Sequence, residues 1–161
     1  MTADQVRVSV TVGIPPADAF EVFATEIDRW WRRGPKFRHA GVHRGIIHLE
    51  PRVDGRLFEA YDLEGEEHVF EAGRVHVWEP PTRLVFSWRN ATFAPEEITF
   101  VEVEFAPTSC GTRVTVTHRG WSGIRDDHPA RHRQSSRDFL RSLGLWWGEQ
   151  MTSFRRTVEN A

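Results

Sequence analysis

Two polar side chains of the 161-residue chain fall where strand alternation turns them toward apolar neighbours: Glu59 and His118. Over 111–121, Val114, Val116 and His118 share one face while Thr115 and Thr117 take the other. Over 56–62, Leu57, Glu59 and Tyr61 share a face opposite Phe58 and Ala60. A carboxylate and an imidazole on one concave apolar wall suit two tasks. They can hold a ligand hydroxyl, or exchange its proton as acid and base. The competing account is that each is hydrogen-bonded within the core, as most buried ionisable groups are. The sequence does not show that the two side chains meet.

Other chemistries find less support. His128 and His132 stand four apart and would share a helix face, but zinc needs a third protein ligand, and neither HExxH nor a nearby cysteine supplies one. Both histidines are expected in solvent, as are His39 and His43, which flank a turn. Ser122-Gly123 is not a GxSxG elbow, and GxGxxG and GxxxxGK are absent. Cys110 lies in a Ser109-Cys110-Gly111 turn, where a free thiol is incidental. Asp126 and Asp127 are expected as helix caps or solvated loop residues. The arginines at 125, 131, 133, 137 and 141 are interleaved with Asp126, Asp127 and Asp138, and are expected in solvent or ringing a pocket mouth.

Composition narrows the partner classes. Lys+Arg 21 against Asp+Glu 23 gives a formal charge of -2, which offers no basic field for nucleic acid. A single cysteine excludes an internal disulfide and any cysteine-rich zinc module. No apolar run approaches the roughly 18 residues of a membrane span, and no signal peptide precedes the first strand, so the chain is expected to be cytoplasmic. Only Lys36 of the 21 basic residues is lysine, a bias expected of a GC-rich genome. Seven Trp and eleven Phe beside one Tyr call for a large core or one built around a pocket.

The elements that must carry these residues follow from period. Val6, Val8, Val10 and Val12 alternate with Arg7, Ser9 and Thr11, a strand. Ile14-Pro15-Pro16 ends it, and Phe20, Phe23, Ala24 and Ile27 then mark a short amphipathic helix that Asp28-Arg29-Trp30-Trp31 extends or follows with another. Residues 32–41 read as a loop. Strands are expected near 43–50, 56–62, 68–78, 83–89, 98–106 and 112–121, with Thr99, Val101, Val103, Phe105, Leu84, Phe86 and Trp88 inward, and Glu102, Glu104, Ser87 and Arg89 outward. Trp78 is expected at a sheet edge. Short connections favour antiparallel neighbours. Leu140, Leu143, Trp147, Met151, Phe154 and Val158 form one stripe of a helix over about 134–159, in which Gly144 and Gly148 permit close packing or mark a bend. The fold class is α+β: a seven-stranded antiparallel sheet curved around a long C-terminal helix, with two short helices after strand 1, over a single domain 1–161 with its core at about 5–159.

EPRVDGRLFE (50–59), GRVHVWEPPTRLVFSW (73–88) and GTRVTVTHRGW (111–121) resemble signature segments of the START/birch-pollen-allergen superfamily, also called SRPBCC or polyketide cyclase-like. The branch most similar is that of the C-terminal domain of the heat-shock protein 90 ATPase activator, which Trp30-Trp31 and Trp147 also fit. Asp54 stands where that family usually shows a Gly-Gly pair, which bears on the local turn. The resemblance implies a helix-grip fold with a cavity between sheet and long helix, and members that bind lipids, sterols, polyketides or other apolar molecules. It carries over no catalytic motif.

The expected activity is therefore binding of a small hydrophobic or amphipathic ligand, with no cofactor, metal or catalysis required. The candidate wall is aromatic in Trp30, Tyr61, Phe86, Trp88, Trp121 and Trp147. Val103, Leu143 and Met151 complete its apolar part, with Glu59 and His118 as placed polar groups. Two alternatives stay open: a cyclase/aromatase-like enzyme using Glu59 and His118, and a module interacting with a heat-shock protein 90 chaperone. An outward face carrying Val85 and Phe100 would suit a homodimer.

Overall fold

The structure, a computed structural model, describes residues 4–160. Of the expected domain 1–161, residues 1–3 and 161 lie outside the described residues. Seven strands form one antiparallel sheet: β1 (Val6–Val12), β2 (Gly45–Leu49), β3 (Arg56–Leu63), β4 (Glu66–Glu79), β5 (Arg83–Trp88), β6 (Thr99–Thr108) and β7 (Gly111–Arg119). Their order is β1-β7-β6-β5-β4-β3-β2. From β2 onward each strand pairs with its successor, as the short connections require. β1 then pairs with β7, setting Val6 opposite His118 and Val12 opposite Thr112.

Two irregularities curl the sheet. The β3–β4 register shifts after Leu57, which faces Gly73, while Phe58 faces Glu71. The β4–β5 register shifts between Val75 and Val77. Extra residues on one strand bend it and increase its twist. Gly73 is needed at the first bend, because a Cβ there would lie 1.7 Å from the Ser87 carbonyl oxygen. At the β2–β3 turn Asp54 has φ 65, a left-handed backbone that glycine takes freely and aspartate tolerates. This gives the departure from the family's glycine pair a purely local meaning.

After β1 come α1 (Pro16–Ala24) and α2 (Ile27–Trp30), which bury Phe20, Phe23, Ala24, Ile27 and Trp30. Trp78 pairs with Leu84 of β5 alone, because β3 accompanies β4 only as far as Arg74, so it lies at a local sheet edge as expected, with its ring edge-on to Phe20 at 5.0 Å. The last element, α3 (Ser136–Glu159), starts two residues later than its stripe suggests. Ser135 has extended backbone and its hydroxyl accepts the Asp138 N–H at 3.2 Å, which fixes the cap there. Asp126 and Asp127 are consequently exposed loop residues and cap nothing.

The sheet grips α3 unevenly. Along the C-terminal half, Trp147, Met151, Phe154 and Val158 are buried in the main core, each such side chain adding roughly 1.5–3 kcal/mol. The helix backbone approaches β1, α1 and α2 closely and has no comparable approach to β3, β4 or β5. Neither helix glycine brings it nearer the sheet, since a Cβ on Gly144 or Gly148 would meet nothing within 4 Å. Two outward residues differ from simple alternation: Ser87 and Thr117 are buried, Ser87 accepting the Arg74 N–H at 2.9 Å and Thr117 the Arg7 Nε–H at 3.3 Å. Val85 is likewise only 3% exposed, so the outward face expected for a homodimer is already covered at that residue. The exposed outward apolar residues are Ile46 and Val69, which flank Ala60 in one cross-strand row. No helix among the described residues is long and apolar enough to cross a membrane.

Candidate functional site

Beside the N-terminal half of α3 the molecule holds a cavity of about 500 Å3, within the range of small-molecule sites. The apolar residues form two clusters, a main core and a smaller one around Phe93, Trp121, Ile124 and Phe139. The cavity wall draws on both. The helix contributes Phe139, Ser142, Leu143 and Trp146, and the sheet contributes Glu59, Phe70, Trp88 and His118. Trp121 and three further segments, 35–39, 89–91 and 130–134, complete it.

His118 sits at the floor, 1% exposed, in a chain of hydrogen bonds. The Trp147 indole N–H donates to Nδ1 at 3.1 Å. An indole nitrogen only donates, so Nδ1 accepts and the ring proton is on Nε2. Nε2 lies 2.8 Å from the Thr99 hydroxyl, which itself donates a hydrogen bond to the Trp88 carbonyl at 2.9 Å. Burial pushes the imidazole pKa down to about 3. The ring is thus neutral near pH 7, with both nitrogens committed to the protein.

Glu59 is committed as well. Its two oxygens accept the backbone N–H groups of His39 and Ala40 at 2.7 and 3.0 Å, tying segment 35–40 to β3. That segment is fixed from beneath by Arg38, whose guanidinium is 2.7 Å from Asp28 and donates to the Trp31 and Arg32 carbonyls. Burial raises the Asp28 pKa, but the Ile47 N–H and Arg38 outweigh it and hold the carboxyl below its ordinary range. Trp146 adds a bond from its indole N–H to the Lys36 carbonyl at 2.8 Å.

The far wall depends on two polar residues that the sequence places in solvent. His128 is 1% exposed: Nδ1 accepts the Ala130 N–H at 3.0 Å, and Nε2 lies 3.2 Å from Glu97. Arg131, also 1% exposed, donates to the carbonyls of Trp121, Ile124 and Arg125 and to the Ser136 hydroxyl. A segment without a repeating pattern satisfies its backbone carbonyls through such a side chain. Arg89, expected outward, lines the cavity. β5 ends at Trp88, and the Arg89 N–H turns to the Ala72 carbonyl at the β4 irregularity, 2.8 Å away.

Of the candidate wall residues, Glu59, Trp88, His118, Trp121 and Leu143 line the cavity. Trp30, Phe86, Val103, Trp147 and Met151 are packed behind it in the core, and Tyr61 opens on a second depression at the β2 edge. Phe37, His39, Phe70, Phe139 and Trp146 are wall residues not singled out from the sequence. For Phe70 alternation along β4 held the signal; for Phe37 and His39 no pattern did. His39 stacks on Phe70 with ring centroids 4.0 Å apart. Among the described residues no three His, Cys, Asp or Glu side chains converge as a metal site.

Comparison with known proteins agrees with this architecture. The family model described as activator of Hsp90 ATPase homolog 1-like protein matches residues 14–145. The chain is similar to protein MLL2253 of Mesorhizobium loti, with 17% identity, a TM-score of 0.66 and 98% of each chain covered. It is similar to SA2116 of Staphylococcus aureus, a protein of unknown function, with 13% identity, a TM-score of 0.70, and 99% of this chain and 96% of that one covered. At these identities the likeness shows the fold alone. No curated protein matches the chain.

Proposed function

The chain belongs to the activator of Hsp90 ATPase homolog 1-like family, and from that premise we propose that it binds a small, largely apolar molecule in the cavity beside α3. The observation that carries this is the wall itself. Around about 500 Å3 it presents Phe37, Phe70, Trp88, Trp121, Phe139 and Trp146. A wall whose surface is mainly apolar, with polar groups placed in it, is the common construction of a small-molecule site.

The same geometry favours binding over catalysis by Glu59 and His118. A general base needs a free lone pair facing its substrate, and a general acid a proton to give. His118 has neither, with both nitrogens spent on Trp147 and Thr99, and each Glu59 oxygen is already turned to a backbone amide. These side chains hold the wall in place, and the ligand meets the surface they hold. Native mass spectrometry of freshly purified protein, alone and after incubation with the neutral probe 1-N-phenylnaphthylamine, tests the proposal. The expected result is a one-to-one adduct, native or added. Absence of both overturns it.

A further inference from the structure

The smaller apolar cluster, Phe93, Trp121, Ile124, Ala130, Phe139 and Leu140, is built from three pieces of chain. They are the β5–β6 connection, the β7–α3 connection and the first turns of α3. Polar side chains join the pieces. Arg131 donates to the Trp121 and Ile124 carbonyls and to the Ser136 hydroxyl, and His128 lies 3.2 Å from Glu97 of the other connection. Glu97 in turn accepts the Ala94 N–H at 2.8 Å, and the Arg89 guanidinium donates to the Phe93 and Ala94 carbonyls.

The polar ties of this unit to the sheet sit where the chain leaves it. Just past β5, the Arg89 N–H donates to the Ala72 carbonyl, and the Asn90 amide oxygen accepts from the Trp88 indole. Just past β7, the Asp4 carboxylate accepts the Gly120 and Ser122 N–H groups at 3.2 and 3.0 Å, and the Asp4 carbonyl accepts the Trp121 N–H at 3.1 Å. Apolar contact with the main core runs through Val6 and Leu143, with the Trp121 ring against His118. The other loop of the cavity wall, 35–40, is pinned instead to β3 by Glu59 and to α3 by Trp146. Among the described residues no hydrogen bond or ion pair joins the unit to segment 32–41.

We propose that residues 89–98 and 120–140 form a lid on the cavity, which unfolds and refolds as one unit while the sheet, segment 32–41 and the C-terminal half of α3 stay folded. The opening free energy of a region follows the apolar surface and bonds it must give up. The lid buries far fewer apolar side chains than the main core, so it gives way first. Because Arg131, His128 and Arg89 tie its pieces to one another, losing one piece loosens the others. Trp121, Ala130 and Phe139 belong to the lid and line the cavity. A ligand touching them therefore gains that contact only when the lid is folded, and so holds it shut. This last step rests on the binding reading above.

Hydrogen exchange read by mass spectrometry at pH 7.5 tests the lid, with and without 1-N-phenylnaphthylamine, whose fluorescence reports its binding. In the free wild type, amides over 93–97, 121–131 and 136–140 are expected to exchange through one common opening, ahead of β6 and β7. Arg131→Met is expected to speed all three segments by at least about tenfold, as loss of charged hydrogen bonds does, including 93–97, to which Arg131 makes no bond. Phe93→Leu is the milder second variant, should the first not fold, and is expected to speed 121–131 along with its own segment. In both variants β6, β7 and 36–41 keep their protection. Acceleration confined to the substituted segment, or spread evenly over the chain, overturns the lid. Bound probe is expected to slow the three segments together. If the probe binds without slowing them, the lid's role is overturned and the cavity reading stands; if it does not bind, both are overturned.

Discussion

The indole of Trp147 donates to Nδ1 of His118 across 3.1 Å, between the middle of α3 and the end of β7. This bond fixes the imidazole tautomer and passes polarity through Thr99 to the Trp88 carbonyl in the cavity wall. It also explains why α3 has two characters. Below Trp147 the helix is packed into the core, and above it the helix edge borders open space.

Because His118 is neutral and buried, acid should destabilise the fold through it. The unfolded chain protonates this ring near 6.5, and the folded one only near 3. Above pH 6.5 neither state is charged there, and the group adds no pH dependence. Between 6.5 and 3 only the unfolded state takes the proton, so stability falls as pH falls, by about 1 kcal/mol per pH unit. Urea unfolding at several pH values between 7.5 and 5 should give a shallower slope for His118→Gln than for wild type. Parallel slopes would refute the assignment.

Glu59→Gln should loosen the 35–40 wall. An amide keeps one acceptor and points a donor at the second backbone N–H, so the cost should be about 1–3 kcal/mol. Urea midpoints measure it, and a cost near zero would remove Glu59 as the anchor of that segment.

Arg38→Met removes the ion pair to Asp28 and the bonds to the carbonyls of Asp28, Trp31, Arg32 and Gly45 beneath the same segment. Breaking a buried pair from one side should cost about 3 kcal/mol. Amide hydrogen exchange should speed up over 32–41 while β6 and β7 keep their protection. Uniform acceleration would mean that Arg38 supports the whole fold rather than the wall.

Glycines separate free space from contact. Gly144→Ala and Gly148→Ala should each raise stability by about 1 kcal/mol, because the added methyl meets nothing and helix propensity improves. Gly73→Ala should lower the melting temperature sharply, since its Cβ would run into the Ser87 carbonyl. Equal effects at the three positions would contradict the packing described.

Much of the fold is written in local patterns. The valines of 6–12 and the stripe from Leu140 to Val158 each announce one element, and short connections between strands give the sheet order. The cavity is less legible, because segments outside the strands and α3 build more than half its wall. Nothing in the period of 124–134 shows that His128 and Arg131 turn inward, since their burial satisfies backbone groups that only the folded chain brings near. Arg89 escapes alternation for a similar reason, as the irregularity in β4 turns the chain just past the end of β5. Glu59 and His118 were visible as polar groups on apolar faces, but their partners were not. A backbone amide and an indole 29 residues away leave no trace in either strand's pattern.

The central claim is that the space beside Leu143 receives a ligand. Titrating 1-N-phenylnaphthylamine into wild type and Leu143→Trp, with circular dichroism to confirm that both are folded, tests it most directly. The account predicts saturable one-to-one fluorescence enhancement for wild type, weakened at least about tenfold where the larger side chain fills the space. Equal binding by both proteins, or none by the wild type, would contradict it.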